Sequence, residues 1–211
     1  MWEVFFGDTI SKLMKFMESG MPGVKACALL AVKELASHLS ELLPDYLDSI
    51  VTLVLGATCE SHLEVKQSAD ECLLVLADSN KEYFIQILLD RISSLAQDSQ
   101  RNMALVSSFR AMGRALTGVS TAQLNSVLGE LLPHLISSYS SPDADVRKAV
   151  VFCLVDIYSG MGNALMPHLS GLSTAQLKLL TIYIQRSQDG KASKLGNGKE
   201  NSAPAAVTYG L

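Results

Sequence analysis

Aromatic residues and charge are both scarce in this 211-residue chain: aromatics make up 6% and charged residues 18%. Four cysteines, at 27, 59, 72 and 153, form no CxxC pair, so neither a zinc ribbon nor a disulfide scaffold is expected and a reducing compartment is implied. No apolar run reaches the ~18 residues of a membrane span, and the N-terminus lacks a basic region leading into a long apolar stretch. Membrane insertion and a secretory signal are therefore not expected. The net charge of −4 gives no global pull toward nucleic acid. GxSxG, P-loop and GxGxxG motifs are missing. His38, His62, His134 and His168 are scattered, and none pairs with a Cys, Glu or second His at metal-ligand spacing. Asp143 and Asp145 are close together but precede a helix, where the dipole accounts for carboxylates. Catalysis, a metal and a cofactor are not expected.

What the chain has is apolar bulk and a repeat. Apolar residues make up 48% of the sequence, and the length suffices to bury a sizeable core. Leu and Ala dominate, as in packed helices. A short unit recurs: an apolar residue, a basic one, then small residues at helical spacing. It reads Val24-Lys25 with Ala28, Val65-Lys66 with Ala69, and Val146-Arg147 with Val150. Val24 and Val65 are 41 positions apart, and Val65 and Val146 are 81 apart, twice about 40. A period near 40 is one helix pair of a HEAT-type solenoid. Cys72 and Cys153 each stand seven residues after the unit's valine, the pattern of a buried small apolar position. Val65, Ala69, Cys72, Leu76, Val146, Val150, Cys153 and Ile157 are expected between the layers.

Apolar spacing divides the chain into helices: Trp2–Glu18, Val24 to about Leu39, Pro44–Ala57, Leu63–Ala77, Lys81–Ala96, Asn102–Leu116, Thr121–Tyr139, Asp143–Met161 and about Thr174–Arg186. The fold class is all-α, about four helix pairs and a final helix. Ser120–Gln123 and Ser173–Gln176 read as capping boxes, and Pro133 is expected to kink its helix. Residues 1–187 form the expected domain. Residues 188–211, rich in Lys, Ser, Gly, Asn and Ala, read as a disordered tail. The tail carries Lys199-Glu200-Asn201, a KEN tripeptide of the kind the mitotic ubiquitin ligase recognises in disordered segments.

The turns of a solenoid line up on one edge, where side chains bind other macromolecules. Lys25, Lys66, Arg101, Arg147 and Lys148 all fall at the starts of second helices. Residues 1–186 contain 14 Lys and Arg against 19 Asp and Glu, so a line of cations would be a local feature, attractive to an acidic partner. Read singly, each is a solvated charge at a turn. The third turn, Gln97–Asn102, lacks the valine-basic pair, which loosens the placement of Arg101.

Leu131–Ile157 has the elements of a full HEAT repeat: Leu-Leu-Pro in the first helix, an acidic turn, and Val-Arg opening the second. VRKAVVFCLVDIY, followed by PHLSGLSTAQLKLLTIYIQR, closely resembles the C-terminal end of the CLASP family, microtubule-associated proteins built from TOG domains. The opening, WEVFFGDTISKLMKFMES, is similar to the start of that family's last TOG-like domain. The resemblance covers about residues 2–187. It implies a non-catalytic module that binds tubulin or docks microtubule adaptor proteins, in the cytoplasm on microtubules, the spindle and the cell cortex, with a role in microtubule stability and cell division. Intra-repeat turns of such domains grip tubulin, which makes Met21, Lys25, Lys66, Arg101, Arg147 and Lys148 the candidate contacts. Two departures stand out. Four full pairs are counted where six repeats are usual, and the first turn offers Met21 and Pro22 where a tryptophan is usual. Either a first repeat lies upstream or the grip is lost. The alternative is a HEAT scaffold of another system, of transport-receptor or phosphatase-scaffold type, binding through its concave face.

Overall fold

The computed structural model describes residues 2–196, with side chains for 5–98 and 100–189. Nine α-helices follow one another among these residues: α1 Trp2–Met17, α2 Pro22–His38, α3 Leu47–Thr58, α4 Leu63–Ser79, α5 Lys81–Leu95, α6 Asn102–Leu116, α7 Thr121–Ser138, α8 Ala144–Met161 and α9 Thr174–Gly196. Each odd-numbered helix up to α7 packs on the even-numbered helix that follows it. The even helices also stack in order, α2 on α4, α4 on α6, α6 on α8, and the odd helices α1, α3, α5 and α7 do the same. This is a two-layer HEAT-repeat α-solenoid.

The boundaries have local causes. Pro22 opens α2 at its first position, where a missing N–H costs nothing. Pro44–Tyr46 forms a separate 3₁₀ turn, and the third helix begins at Leu47, three residues later than the spacing suggests. Ser120 and Gln123 satisfy each other's backbone donors at the start of α7, and Ser173 and Gln176 do the same for α9. Helix α7 continues through Pro133 to Ser138. α8 ends at Gly162, whose φ of 58° suits a residue without Cβ. Gly113 has a different reason: a Cβ there would lie 2.5 Å from Oδ2 of Asp156, so glycine lets α6 and α8 approach closely. α9 runs to Gly196, ten residues past the expected end at Arg186, and the expected domain boundary at 187/188 falls within it.

The core runs the length of the array between the layers. All eight positions expected there, Val65, Ala69, Cys72, Leu76, Val146, Val150, Cys153 and Ile157, are at most 1% exposed. Burial pushes the Cys72 thiol up to about 12, and the Cys153 thiol upward as well. The stretch Ala144–Leu169 is long and apolar enough by composition to cross a membrane. Half of its most apolar window is buried, Val146, Val150 and Ile157 fully so, and α8 packs on α6 and α7.

Polar contacts repeat the same period. On the face of the second helices, Lys33 pairs with Glu71 at 3.0 Å, Arg110 with Asp70 at 3.0 Å, and Arg114 with Asp78 at 2.6 Å. Arg114 donates from both Nε and Nη2, and these bonds hold its guanidinium above its usual range. Between repeats, Asn80 donates to the Ser40 carbonyl at 2.7 Å and Lys81 to that of Thr117 at 2.6 Å. Partners sit 36 to 40 residues apart in all of these.

Candidate functional site: the turn edge

The turns within each helix pair are short. Residues 18–21 join α1 to α2, 59–62 join α3 to α4, 96–101 join α5 to α6, and 139–143 join α7 to α8. Side-chain bonds tie alternate neighbours together. Lys25, in the first turn of α2, reaches Oε1 of Glu60 in the next turn at 2.5 Å. Asn102, at the start of α6, donates to Oδ2 of Asp143 in the following turn at 2.9 Å.

The cations expected on this edge divide into two sets. Lys25 is 15% exposed and engaged by Glu60; the ammonium holds the Glu60 carboxyl below its ordinary range. Arg147 donates from Nη1 to the carbonyls of Ser141 at 2.7 Å and Pro142 at 2.8 Å, so it braces its own turn. Lys66, Arg101 and Lys148 make no ion pair among the described residues. Arg101 lines a cleft of about 130 Å³ beside Arg91 and Asp98. The edge is not of one sign, because Glu60, Glu64, Asp98, Asp143 and Asp145 interleave with the cations. Asp143 caps α8, accepting from Asp145 N at 2.8 Å. These backbone bonds, with Asn102, depress its carboxyl below the usual range.

Composition alone did not single out an apolar component. Met21 stands at the mouth of the first turn, 65% exposed. Leu63 opens α4 at 66% exposed, and Met103 lies in the first turn of α6 at 40% exposed. Their spacings are 42 and 40 residues, one repeat each. The 41-residue step from Val24 to Val65 carries Met21 onto His62, the residue before Leu63, so the repeat register leads to the neighbourhood of Leu63 and not to it. Each of the three exposed apolar residues stands at the opening of a second helix, on the turn edge. The KEN tripeptide, Lys199-Glu200-Asn201, lies outside the described residues. No group of three His, Cys, Asp or Glu side chains among the described residues is placed to hold a metal ion.

Two helix layers with an aligned edge of turns define an all-α solenoid of TOG-like HEAT repeats. A family model described as "Stalled ribosome sensor GCN1-like, HEAT repeats" matches residues 13–185, and the chain belongs to that HEAT-repeat family. Its curated relatives are CLASP proteins. CLIP-associating protein 1-A of Xenopus laevis is 30% identical over 188 residues, covering 89% of this chain and 12% of the relative. CLIP-associated protein of Arabidopsis thaliana is 26% identical over 185 residues, covering 88% and 13%. The chain thus spans about an eighth of these relatives' length. Among solved structures, the MAST/Orbit N-terminal domain superposes with a TM-score of 0.67 at 20% identity, over 87% of this chain and 81% of that one. A TOG domain of crescerin, a protein described as regulating microtubules in the primary cilium, gives 0.65 at 16% identity, over 86% and 75%. At those identities the likeness is one of fold.

Proposed function

We propose that this domain is a non-catalytic binding module of a CLASP-like microtubule-associated protein, engaging tubulin or a docked adaptor through its turn edge to regulate microtubule stability. The observation that carries the reading is the turn edge, where Met21, Leu63 and Met103 are exposed at the openings of α2, α4 and α6, and Lys66, Arg101 and Lys148, at or near the starts of α4, α6 and α8, make no ion pair among the described residues. Apolar side chains flanked by free cations suit a partner surface that is acidic around apolar contacts. The face of the second helices offers less, since its charges are matched within the chain, Lys33 by Glu71, Asp70 by Arg110 and Asp78 by Arg114. That layout favours the edge over the concave-face scaffold alternative. The CLASP relatives and the microtubule-regulating TOG neighbours support the choice of tubulin and its adaptors as partners.

The test is co-sedimentation with polymerised tubulin and gel filtration with free tubulin, each at low and high salt. Wild type is expected to bind one of the two forms. Binding should weaken with salt and fall in a Lys66→Glu, Lys148→Glu variant. Retained tubulin binding in that variant at both salt concentrations would move the contact off this edge.

A further inference from the structure

Beyond the turn edge, we infer a second docking site in the groove between α8 and α9, built for an acidic peptide segment of another protein with large apolar anchors. α8 is the principal neighbour of α9, and the groove between them opens into a cleft of about 220 Å³. Its walls include Arg147, Lys148, Val151, Phe152, Leu179 and Tyr183, and among the described residues no carboxylate lines it. Phe152 is 42% and Leu179 43% exposed, and Ile182, one turn further along α9, is 48% exposed. The Phe152 ring meets Tyr183 edge-on, with centroids 5.6 Å apart at 80°. The Arg186 guanidinium lies 6.0 Å from the centroid of the Tyr183 ring. Lys148, Lys178 and Arg186 make no ion pair among the described residues.

The chain as a whole is acidic, with a net charge of −4, yet this groove presents cations around an apolar, aromatic floor. Its charge selects an acidic segment and repels a basic one. The floor takes side chains of Leu, Ile, Phe or Trp size, and aromatic and arginine groups of this kind carry most of the energy at peptide-sized interfaces. A segment seated here would cover Phe152, Leu179 and Tyr183 and place its carboxylates toward Lys148 and Arg186. Only Arg147 and Lys148 are shared with the turn edge; the apolar anchors are separate.

The experiment is a selection of random short peptides displayed as a library, run in parallel on the full chain and on a Phe152→Ser, Leu179→Ser variant. Both substituted residues are nearly half exposed, so the variant should stay folded, with a lower melting temperature from the lost Phe152–Tyr183 contact. Peptides recovered on wild type should combine Asp or Glu with at least one large apolar residue. They should bind the variant about tenfold or more weakly and weaken with salt. Arg186→Glu should weaken them further. No enrichment, peptides without an acidic excess, or equal recovery on both proteins would overturn the inference. Tubulin co-sedimentation of the same variant separates the two sites: unchanged tubulin binding supports a distinct groove, and its loss would merge the groove with the edge. Failure of wild type to bind tubulin would remove tubulin as the partner of the turn edge and leave the groove untouched.

Discussion

Asn102 donates from Nδ2 to Oδ2 of Asp143 across 41 residues of sequence, at 2.9 Å. The bond joins the first residue of α6 to the residue that caps α8. Because Oδ1 of Asp143 accepts from the free backbone donors of α8, one carboxylate fixes both a helix start and the spacing between two repeats.

Replacing Asp143 with Ala therefore removes a cap and a cross-repeat tie together. The expected loss is about 1–2 kcal/mol, read as a lower urea midpoint with an unchanged slope. Asn102→Ala removes only the tie and should cost less. Equal costs would place the effect in the tie and not in the cap.

Val150 is fully buried in the middle of α8. Val150→Asp places an unpaired charge in the layer between α8 and its neighbours, at a cost of several kcal/mol, on the order of the whole margin of a domain. The variant should be largely unfolded by circular dichroism at room temperature. A melting curve matching wild type would refute the register of the repeat.

Acid should loosen the turn edge. Glu60 and Asp143 both titrate below their ordinary values in the folded chain, through Lys25 and through backbone bonds respectively. Such groups contribute stability that is fully present above the unfolded carboxylate values of about 4 and lost as pH falls through the lower folded ones. The melting temperature should hold from neutral pH to about pH 5 and fall below that. A Glu60→Gln, Asp143→Asn variant should show a flatter fall. Parallel curves would assign the acid sensitivity elsewhere.

Charge reversal separates the two kinds of cation on the edge. Lys148→Glu should leave melting nearly unchanged, because an exposed, unpaired charge contributes little to stability. Arg147→Glu loses the donations to Ser141 and Pro142 and should lower the melting temperature. Lys148 is accordingly the sound probe of partner binding. Equal melting of the two variants would show that the Arg147 bonds contribute nothing to the turn.

Much of the architecture was legible because a single physical signal, apolar spacing, decides it. Val65 and Val146 announce where each second helix turns inward, and Ser120 and Ser173 announce where helices begin. The end of α9 was not legible. Residues 187–196 are polar and small, with no apolar face to extend the period and no proline to stop it. At the site, the pairing of Lys25 with Glu60 could not be read from a pattern, since it joins turns 35 residues apart and depends on the packing of α2 against α4. Lys25 and Lys66 look equivalent in sequence, and only the position of Glu60 distinguishes them. Met103 stands 40 residues after Leu63, but an apolar residue at a helix start resembles any other until its exposure is known.

The bonds that span 36 to 40 residues carry a mechanical consequence. Each reaches to the adjoining repeat and no further, so among the described residues no strut braces one end of the array against the other. Tension applied along the chain is then borne by one seam at a time. Under such a load the domain should peel in successive steps of one helix pair, and relaxed segments should zip back onto the remaining stack. A module of this build yields gradually at its ends while its middle stays assembled.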